Sequence, residues 1–227
     1  KDAFPEINDK IKHVKKVILA EEKSFNKTLD KGLEIFENIC KSLKNNNAFT
    51  ITTGHQLCLF TGPLYFIYKI ISTINLTEQL QNKHPDNHFV PVFWMASEDH
   101  DFQEINHINL FGKKLEWNSK QSGGVGRMNL NGIEALLKEL ESVLGKNDNA
   151  KQLLYIFENS YLKSQNLADA TRYLVNELFG KYGLVIIDGD DKKLKKQFIP
   201  QIKKDVLDHG FVTTIQESSK KLASSYF

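Results

Sequence analysis

Cysteine and arginine are scarce in this sequence of 227 residues. The only cysteines, Cys40 and Cys58, are too few for a disulfide scaffold, and neither lies at a spacing typical of a metal site. The only arginines are Arg127 and Arg172, and the formal net charge of +2 argues against general attraction to nucleic acid or to a membrane surface. No apolar run approaches the roughly 20 residues of a membrane helix, and no signal peptide is recognisable. We therefore expect a cytoplasmic protein.

Hydrophobic residues make up 41% and charged residues 26% of the chain, as in ordinary globular proteins. Apolar residues at spacings of three and four predict two helices between Ile7 and Leu43, the second capped by Ser24 or Asn26. Strands alternate with further helices, which predicts a doubly wound α/β fold. The predicted strands are Phe49–Thr53, Phe89–Met95, Lys113–Trp117 and Leu184–Ile187, and the later helices are Ile133–Leu144, Ala150–Glu158, Leu167–Phe179, Lys192–Leu207 and Val212–Ala223.

Two details of these elements are specific predictions. Pro91 lies inside the second predicted strand and lacks a backbone donor, which argues against a central place in the sheet and favours a position near the start of the strand. The helix after Pro63 has an apolar stripe that predicts its buried face. The residues of this stripe are Leu64, Ile67, Tyr68, Ile71 and Ile74.

A glycine turn follows the first predicted strand, in the stretch FTITTGHQLCLFTGPLYF. Pro63 suits the first position of the next helix, because proline needs no backbone donor there. A helix N-terminus after such a loop presents N–H groups to a phosphate or a carboxylate. His55 could stabilise charge that develops at this point, although a histidine in a tight polar turn without a binding role fits the pattern too. The candidate residues are Thr53, Gly54, His55, Gln56 and Gly62.

The second predicted strand breaks into three carboxylates and a histidine, Glu98 to Asp101. Like charges this close repel one another unless they have partners. The cluster could hold Mg²⁺, bind an amine or act as acid and base, and its plainer interpretation is a solvated acidic turn. We favour Asp99 and His100 as catalytic residues, and Glu98 and Asp101 as binding residues. The spacing matches no closed four-ligand zinc site, and we expect no protein-bound metal.

Two further segments are candidates for binding. The glycine-rich segment Gly123–Arg127 could be a mobile lid with Arg127 on an anion, or a plain surface loop. Asp188 ends the last predicted strand and could contact a ribose hydroxyl or a metal, while the aspartates after it could instead cap the next helix. Cys58 lies between two leucines, which favours a small core residue over a nucleophile. The two turns that follow the first and second predicted strands, one bearing His55 and the other bearing Asp99 and His100, are expected to face one cleft at the edge of a parallel sheet.

Three blocks of the sequence resemble the cysteine-adding enzymes of bacillithiol biosynthesis, a family of cysteine ligases. The blocks are TGHQLCLFTGPLYFIYKIIS, VPVFWMASEDHDFQEIN and LADATRYLVNELFGKYGLVIIDGDD. The resemblance covers nearly the whole chain. Members of the family are longer and continue into a helical coiled coil, so the chain is expected to be a fragment that lacks some N-terminal sequence and a large C-terminal part.

The resemblance implies a Rossmann-like core similar to class I aminoacyl-tRNA synthetases and nucleotidyltransferases, with inserted helices. We expect N-terminal helices over residues 1–46, the core over residues 47–209 with a helical insertion at about 131–165, and the start of a coiled-coil segment over residues 210–227. In such relatives a signature with two histidines after the first strand binds ATP phosphates. The segment from Thr53 to Gln56 stands in that place with a single histidine.

The reaction implied by the resemblance joins cysteine to the amine of glucosaminyl malate, with ATP as cosubstrate and Mg²⁺ as its candidate companion. His55 and the helix start at Gly62 would stabilise a phosphate or an oxyanion, and Gln56 would orient a substrate. Asp99 and His100 would hold the amine and take its proton. The full-length protein is expected to be a homodimer without nucleic-acid or membrane partners. A nucleotide-binding, nucleotidyl-transferring or acyl-transferring domain with another substrate, and a non-catalytic fragment, remain open alternatives.

Overall fold

The structure is a computed structural model that describes residues 6–44, 47–209 and 211–226. Within these ranges the helices are α1 (Glu6–Leu43), α2 (Leu64–Lys83), α3 (Phe102–Ile105), α4 (Ile133–Leu144), α5 (Asp148–Leu162), α6 (Leu167–Phe179), α7 (Lys192–Gln197), α8 (Ile199–Asp208) and α9 (Val212–Tyr226). The strands are β1 (Ala48–His55), β2 (His88–Met95), β3 (His107–Leu110), β4 (Lys113–Glu116) and β5 (Val185–Asp188). Short 3₁₀ turns cover Leu59–Thr61, Val125–Arg127 and Gly180–Tyr182.

Three of the strands form a parallel sheet in the order β1-β2-β5. Helix α2 connects β1 to β2, and the β3–β4 hairpin and helices α3 to α6 lie between β2 and β5 along the chain. Parallel strands need such long connections, because the chain must return to the same end of the sheet. The α/β class predicted from the sequence is therefore confirmed.

The chain divides into two compact units, and the division crosses the sheet. The first unit contains residues 1–53, 68–93 and 176–185, and the second contains residues 54–67, 94–175 and 186–227. The last residues of all three parallel strands belong to the second unit, together with the turns that follow them. Every turn that carries a candidate site residue is thus part of one compact unit.

The first unit has an apolar interior made by strands and by one face of α2. Phe49 of β1 and Phe89 of β2 stack with their ring centroids 5.7 Å apart. Ile70 and Ile74 are buried on α2, and Val90 is buried on β2. Burial of such side chains contributes about 1.5–3 kcal/mol each, which outweighs the weak intrinsic preferences of the backbone.

The second unit is built around the β3–β4 hairpin and the α4–α5 pair. β3 and β4 are antiparallel, with Ile108 opposite Leu115. Trp117 follows β4, is almost completely buried, and donates its indole N–H to the backbone oxygen of Asn131 at 2.9 Å. Tyr161, near the end of α5, is equally buried.

The structure corrects the predicted helices at three points. α1 is one continuous helix, so Ser24 and Asn26 are interior residues and not caps, because a polar residue within a helix costs only a few tenths of a kcal/mol. The predicted helix from 192 to 207 is two helices, since Pro200 lies in the first turn of α8 and cannot continue α7. Of the predicted face of α2, Ile74 is buried, whereas Leu64, Tyr68 and Ile71 are exposed. The buried positions of α2 are Phe66, Ile70, Thr73, Ile74 and Thr77. Apolar residues lie on more than one side of this helix, so their spacing alone did not identify the buried face.

The strands also differ from the prediction. β2 is the central strand and Pro91 is in its middle, so the expectation for Pro91 was wrong. The backbone N–H groups of His88 and Ala96 donate to Asn47 and His55, which places the even-numbered donors of β2 on the β1 side. The nitrogen of Pro91 therefore faces the other side, where β5 has only four residues and need not accept a bond there.

The remaining differences concern β1, β3 and the domain boundaries. β1 runs through Gly54 to His55, so the predicted turn begins later than expected. β3 was not predicted. The predicted domain boundaries at residues 46 and 210 fall outside the described residues.

Candidate functional site

The candidate site lies where the three parallel strands end. β1 ends at His55, β2 at Met95 and β5 at Asp188, and the carboxyl ends of parallel strands share one edge of the sheet. Ligands of open α/β sheets bind in the crevice outside this edge. Because β2 is central, its acidic turn has the β1 turn on one side and the β5 turn on the other.

The β1 turn holds His55 in an aromatic setting. The side chain is only 8% exposed, and its ring lies 5.0 Å from the ring of Tyr65 and 5.1 Å from that of Phe66. Nδ1 is 3.0 Å from the backbone oxygen of Gln56. A carbonyl oxygen only accepts hydrogen bonds, so Nδ1 carries a proton and donates it. The orientation of the imidazole is therefore set by both packing and a hydrogen bond.

Gln56 joins the β1 turn to the acidic turn of β2. Its side-chain nitrogen donates to Asp99 Oδ2 at 2.8 Å and to Glu104 Oε2 at 2.7 Å. One amide group thus uses both of its protons on two carboxylates. The contact confirms that the two turns predicted to face each other meet through Gln56 and Asp99.

Glu104 was not predicted as a site residue. It lies on the short helix α3, and its partner Gln56 is 48 positions earlier in the chain. No local pattern carries this pairing, because it depends on the adjacency of β1 and β2 in the sheet. The acidic character of the whole stretch after β2 was the only available signal.

Asp99 is held in its ionised form. Its pKa is lowered, first by a hydrogen bond from the backbone N–H of Asp101 and then by the amide of Gln56. The oxygen Oδ1 accepts the Asp101 N–H at 3.0 Å. His100 and Asp101 are exposed beside it, and so is Glu98. The turn thus presents a carboxylate with fixed geometry next to an accessible imidazole.

A second group of polar side chains links the β2 turn to the β5 turn. Ser97 is buried and donates its hydroxyl to Asp188 Oδ1, while the backbone N–H of Asp190 donates to Ser97 Oγ at 3.1 Å. Asp188 also lies 3.5 Å from the guanidinium of Arg172. Asp188, at the end of β5, is therefore in contact with both Ser97 and Arg172.

Asp190 binds two cations. Arg127 donates to it through Nε and Nη2, and Lys195 donates to Oδ1 at 2.6 Å. These bonds, with that of Arg127 as the largest influence, lower the pKa of Asp190 to about 2. Asp191 caps α7 by accepting the backbone N–H groups of Lys193 and Leu194, as one of the two alternatives for this segment anticipated.

The glycine-rich segment is attached to the β2 turn. The backbone N–H of Val125 donates to the oxygen of Asp99 at 2.7 Å, and that of Gly126 donates to the oxygen of Ser97 at 2.9 Å. A Cβ on Gly126 would approach Ser97 to 2.6 Å, so only glycine fits there. These contacts favour a fixed loop over a mobile lid, and the anion that Arg127 contacts is the carboxylate of Asp190.

The remaining residues that were singled out from the sequence lie on β1 or in the turn that follows it. Thr53 is a half-buried residue of β1 in the first unit. A Cβ on Gly54 would be 3.5 Å from the backbone oxygen of Trp94, an ordinary contact, so this glycine is not sterically required. Gly62 has a positive φ of 58° and packs against Cys58. Burial, and then the charge of Glu104, raises the pKa of the Cys58 thiol to about 11, which keeps it protonated and agrees with a core role.

Comparison with known sequences identifies the family. Residues 2–227 match the family described as Bacillithiol biosynthesis BshC, N-terminal Rossmann-like domain. This chain belongs to that family. The match spans the strands, the turns and the inserted helices described above, and its Rossmann-like designation agrees with the parallel sheet.

Individual relatives of the BshC family share high identity with the chain. A protein of Flavobacterium psychrophilum named "Putative cysteine ligase BshC" is 54% identical over 180 residues, which are 79% of this chain and 34% of the relative. Proteins of the same name from Flavobacterium johnsoniae and Christiangramia forsetii are 54% and 49% identical, over 78% and 81% of this chain and 33% and 35% of their own lengths. The chain therefore spans about a third of the length of the curated relatives it matches.

The side chains of this BshC-family domain form no preassembled metal site within the described ranges. Among the described residues, no group of three or more His, Cys, Asp or Glu side chains is arranged to hold a metal ion. The described helices include none that is both long and apolar enough to cross a membrane. The groups that the sheet edge offers to a ligand are carboxylates, imidazoles, amides and backbone N–H groups.

Proposed function

We propose that the full-length protein is a ligase that joins cysteine to the amine of glucosaminyl malate in bacillithiol biosynthesis, with ATP as cosubstrate. The observation that carries this proposal is the pair of carboxylates of Asp99 and Glu104 that Gln56 holds at the sheet edge, beside His100. An amine substrate needs anionic and hydrogen-bonding partners of this kind. Membership of the BshC family supplies the choice of substrates.

Asp99 is the binding partner that we assign to the amine. Its lowered pKa means that it is a carboxylate at neutral pH and attracts an ammonium group. The same lowered pKa makes it a poor proton acceptor, because an effective general base has a pKa near the working pH. Asp99 is therefore better suited to hold the amine than to deprotonate it. Glu98 and Asp101 are exposed on the same turn and would add negative charge around the ammonium.

His100 is the proton acceptor that we assign to the reaction. It is exposed next to Asp99, and imidazole is the most frequent general base in enzymes. The amine must lose a proton to become a nucleophile, and a further proton leaves when the amide forms. His100 would take the first of these protons while Asp99 keeps the nitrogen in place.

The other end of the site suits anionic groups. The first turn of α2 contains no acidic residue, and it begins directly after Gly62 and Pro63. Its N–H groups, with the nearby imidazole of His55, would bind phosphate or the carboxylate oxygens of cysteine. Arg127 would contribute only if it left Asp190. ATP, when bound, supplies the activation that makes the cysteine carboxylate reactive towards an amine.

Mg²⁺ has no dedicated set of ligands among the described residues. We therefore expect any Mg²⁺ to enter with ATP and to be held mainly by phosphate oxygens and water, as this ion usually is in nucleotide sites. Thr53, Gly54 and Asp188 remain candidates for contacts with the nucleotide.

The test uses the full-length protein with glucosaminyl malate, cysteine and ATP, and mass spectrometry of the product. Asp99→Asn should raise the KM for the amine by about tenfold or more, because it removes the charge that attracts ammonium. His100→Ala should lower kcat by about 10²- to 10⁴-fold, the usual contribution of a general base. His13→Ala, which changes an exposed histidine of α1, is the control and should leave both constants unchanged. Wild-type constants in both site variants would remove these residues from the chemistry.

The alternatives give different products. A nucleotidyl transferase with another substrate would release pyrophosphate from ATP and attach the nucleotide to that substrate, and an acyl transferase would move an acyl group from its donor to another acceptor, in both cases independently of cysteine and of the sugar amine. A binding module would bind ATP in calorimetry without turnover. Release of nucleotide product that requires cysteine supports the ligase.

We also propose that the full-length protein works in the cytoplasm, where ATP is present. We further propose that it forms a homodimer. Support for association comes from large apolar side chains exposed on helices of both chain ends, including Phe25 of α1 and Ile215 of α9. Sedimentation of the full-length protein measures the number of subunits directly.

A further inference from the structure

Three consecutive residues, beginning two positions after Cys58, have backbone conformations that are unfavourable for any residue with a side chain. Phe60, Thr61 and Gly62 have φ values of 50°, 73° and 58°. Glycine adopts such values freely, whereas a bulky or β-branched residue does so only against a steric penalty. Strain of this kind persists only where the surrounding structure over-determines it, and it is concentrated near functional sites.

The contacts that enforce this conformation come from α5. The side chain of Phe60 is only 5% exposed, and its ring meets the rings of Phe157 and Tyr161 edge to face, each at 5.0 Å. The hydroxyl of Tyr161 accepts the backbone N–H of Phe60 at 2.8 Å. Tyr161 is 1% exposed, so no water competes for this bond. The partner is 101 positions away in sequence, in the helices inserted between β2 and β5.

A short chain of contacts leads from Phe60 back to His55. The backbone N–H of Gly62 donates to the oxygen of Leu59 at 2.7 Å, and Gly62 lies so close to Cys58 that a Cβ would be 2.4 Å from the Cys58 Cβ. The Cys58 N–H donates to the oxygen of Gln56 at 3.0 Å, the same atom that receives Nδ1–H of His55. Displacement of the left-handed turn would thus reach both His55 and Gln56.

We propose that Tyr161 is a positioning residue of the site. Its hydroxyl and ring hold Phe60, Thr61 and Gly62 in the left-handed turn, and the turn fixes the imidazole of His55 and the amide of Gln56 at the sheet edge. Only the expected effect of Tyr161 on turnover rests on the proposed function. Its effect on the conformation of the turn is measurable without any substrate.

The experiment compares Tyr161→Phe with Tyr155→Phe in the full-length protein. Both variants remove one hydroxyl from a tyrosine of α5, but Tyr155 is exposed. Hydrogen exchange of the peptide that contains Phe60, and alkylation of Cys58 located by mass spectrometry, report the state of the turn. In Tyr161→Phe we expect both rates to rise by about tenfold, the factor that one hydrogen bond is worth, and no change in Tyr155→Phe. Unchanged rates in Tyr161→Phe would overturn the proposal.

Two further variants separate positioning from general stability. Leu140→Ala creates a cavity at a buried position of α4, and it should lower the melting temperature without a comparable rise in Cys58 alkylation. If it exposed Cys58 as much as Tyr161→Phe does at the same loss of melting temperature, Tyr161 would be an ordinary core residue. Thr61→Gly, placed in the Tyr161→Phe protein, makes a positive φ easier to adopt and should restore most of the protection. Failure of this rescue would overturn the role assigned to the left-handed turn.

Turnover supplies the last readout. With the substrates of the proposed reaction, Tyr161→Phe should lower kcat by about tenfold, and Thr61→Gly should recover part of the loss. If the protein has a different activity, the exchange and alkylation results still decide the positioning role. If Tyr161→Phe does not accumulate as folded protein, Phe157→Leu loosens the same aromatic cage and keeps the hydrogen bond. Unchanged Cys58 alkylation in that variant would likewise overturn the proposal.

Discussion

The three turns at this sheet edge are held in place by different forces. Most of the β1 turn, residues 55–62, is buried among aromatic rings and depends on packing and on one hydroxyl from α5, and Gln56 is its residue bonded to carboxylates. The turns after β2 and β5 are held by charged and polar side chains, with Ser97, Asp188 and Asp190 at the centre. The first turn presents an imidazole and a helix start, and the others surround the acidic residues.

The difference in forces implies a difference in response to the solvent. Packing and a buried neutral hydrogen bond change little with salt or pH. Ion pairs with exposed partners are weakened by salt and lost when the carboxylate is protonated. The packed turn is therefore expected to be sensitive to volume and backbone shape, whereas the charged turns are expected to be sensitive to hydrogen-bond partners and pH.

The largest effect is expected from Gly62→Ala in the packed turn. A residue other than glycine in this backbone region costs of order 1–3 kcal/mol, and forcing a methyl group against Cys58 adds about 1–3 kcal/mol. Gly145→Ala is the matched control, because Gly145 has a similar conformation, with φ 81° and ψ −161°, but a Cβ added to it would have no atom within 4 Å. Denaturant midpoints of the two variants give the comparison. An equal loss of stability in both would contradict the close packing of Gly62 on Cys58.

The sequence predicted the strand-to-turn segments of the candidate site better than it predicted the contacts that hold them in place. The three strand-to-turn segments ending at His55, Met95 and Asp188 were recognised, because apolar runs that break into glycine and acidic residues are local patterns. The bounds of α6 were predicted correctly, since its apolar residues follow one helical stripe. Gln56 and Asp99 were singled out individually, but their bond required the order of the strands.

The supporting residues could not be predicted, for a physical reason. Tyr161 contacts Phe60 from 101 positions away, and Ser97 contacts Asp188 from 91 positions away. Periodicity and propensity report only the neighbours of a residue along its own helix or strand. For Pro91 a local rule gave a wrong prediction. Proline lacks a backbone donor and is disfavoured in a central strand, but β5 is so short that no hydrogen bond is needed at the nitrogen of Pro91.

A smaller effect is expected from Ser97→Ala in the charged turns. The hydroxyl of Ser97 bonds both Asp188 and the backbone N–H of Asp190, so its loss leaves buried polar groups with fewer partners. We expect a loss of about 1–3 kcal/mol in the free energy of unfolding. Faster hydrogen exchange should appear in the peptides of both turns but not in the β1 turn. Ser142→Ala, which removes an exposed helix hydroxyl, is the control and should change stability by less than about 0.5 kcal/mol.

The smallest effect is expected from Asp190→Asn, and it depends on pH. The folded pKa of Asp190 is about 2, below its usual 3.8, so its ion pairs stabilise the protein fully above pH 4 and this contribution is lost as pH falls from about 4 to 2. Because Arg127 and Lys195 are 69% and 52% exposed, the contribution at neutral pH is about 1 kcal/mol or less.

The stability difference between the wild-type protein and Asp190→Asn should therefore shrink below pH 4. At neutral pH it should shrink between about 0.1 M and about 1 M salt, as the Debye length falls from about 10 Å to about 3 Å. Asp191→Asn is the control, because asparagine caps a helix as well as aspartate does, and it should change stability little. The loss caused by Gly62→Ala should be the same at both salt concentrations. A salt-independent loss in Asp190→Asn would show that packing, and not charge, holds the β5 turn as well.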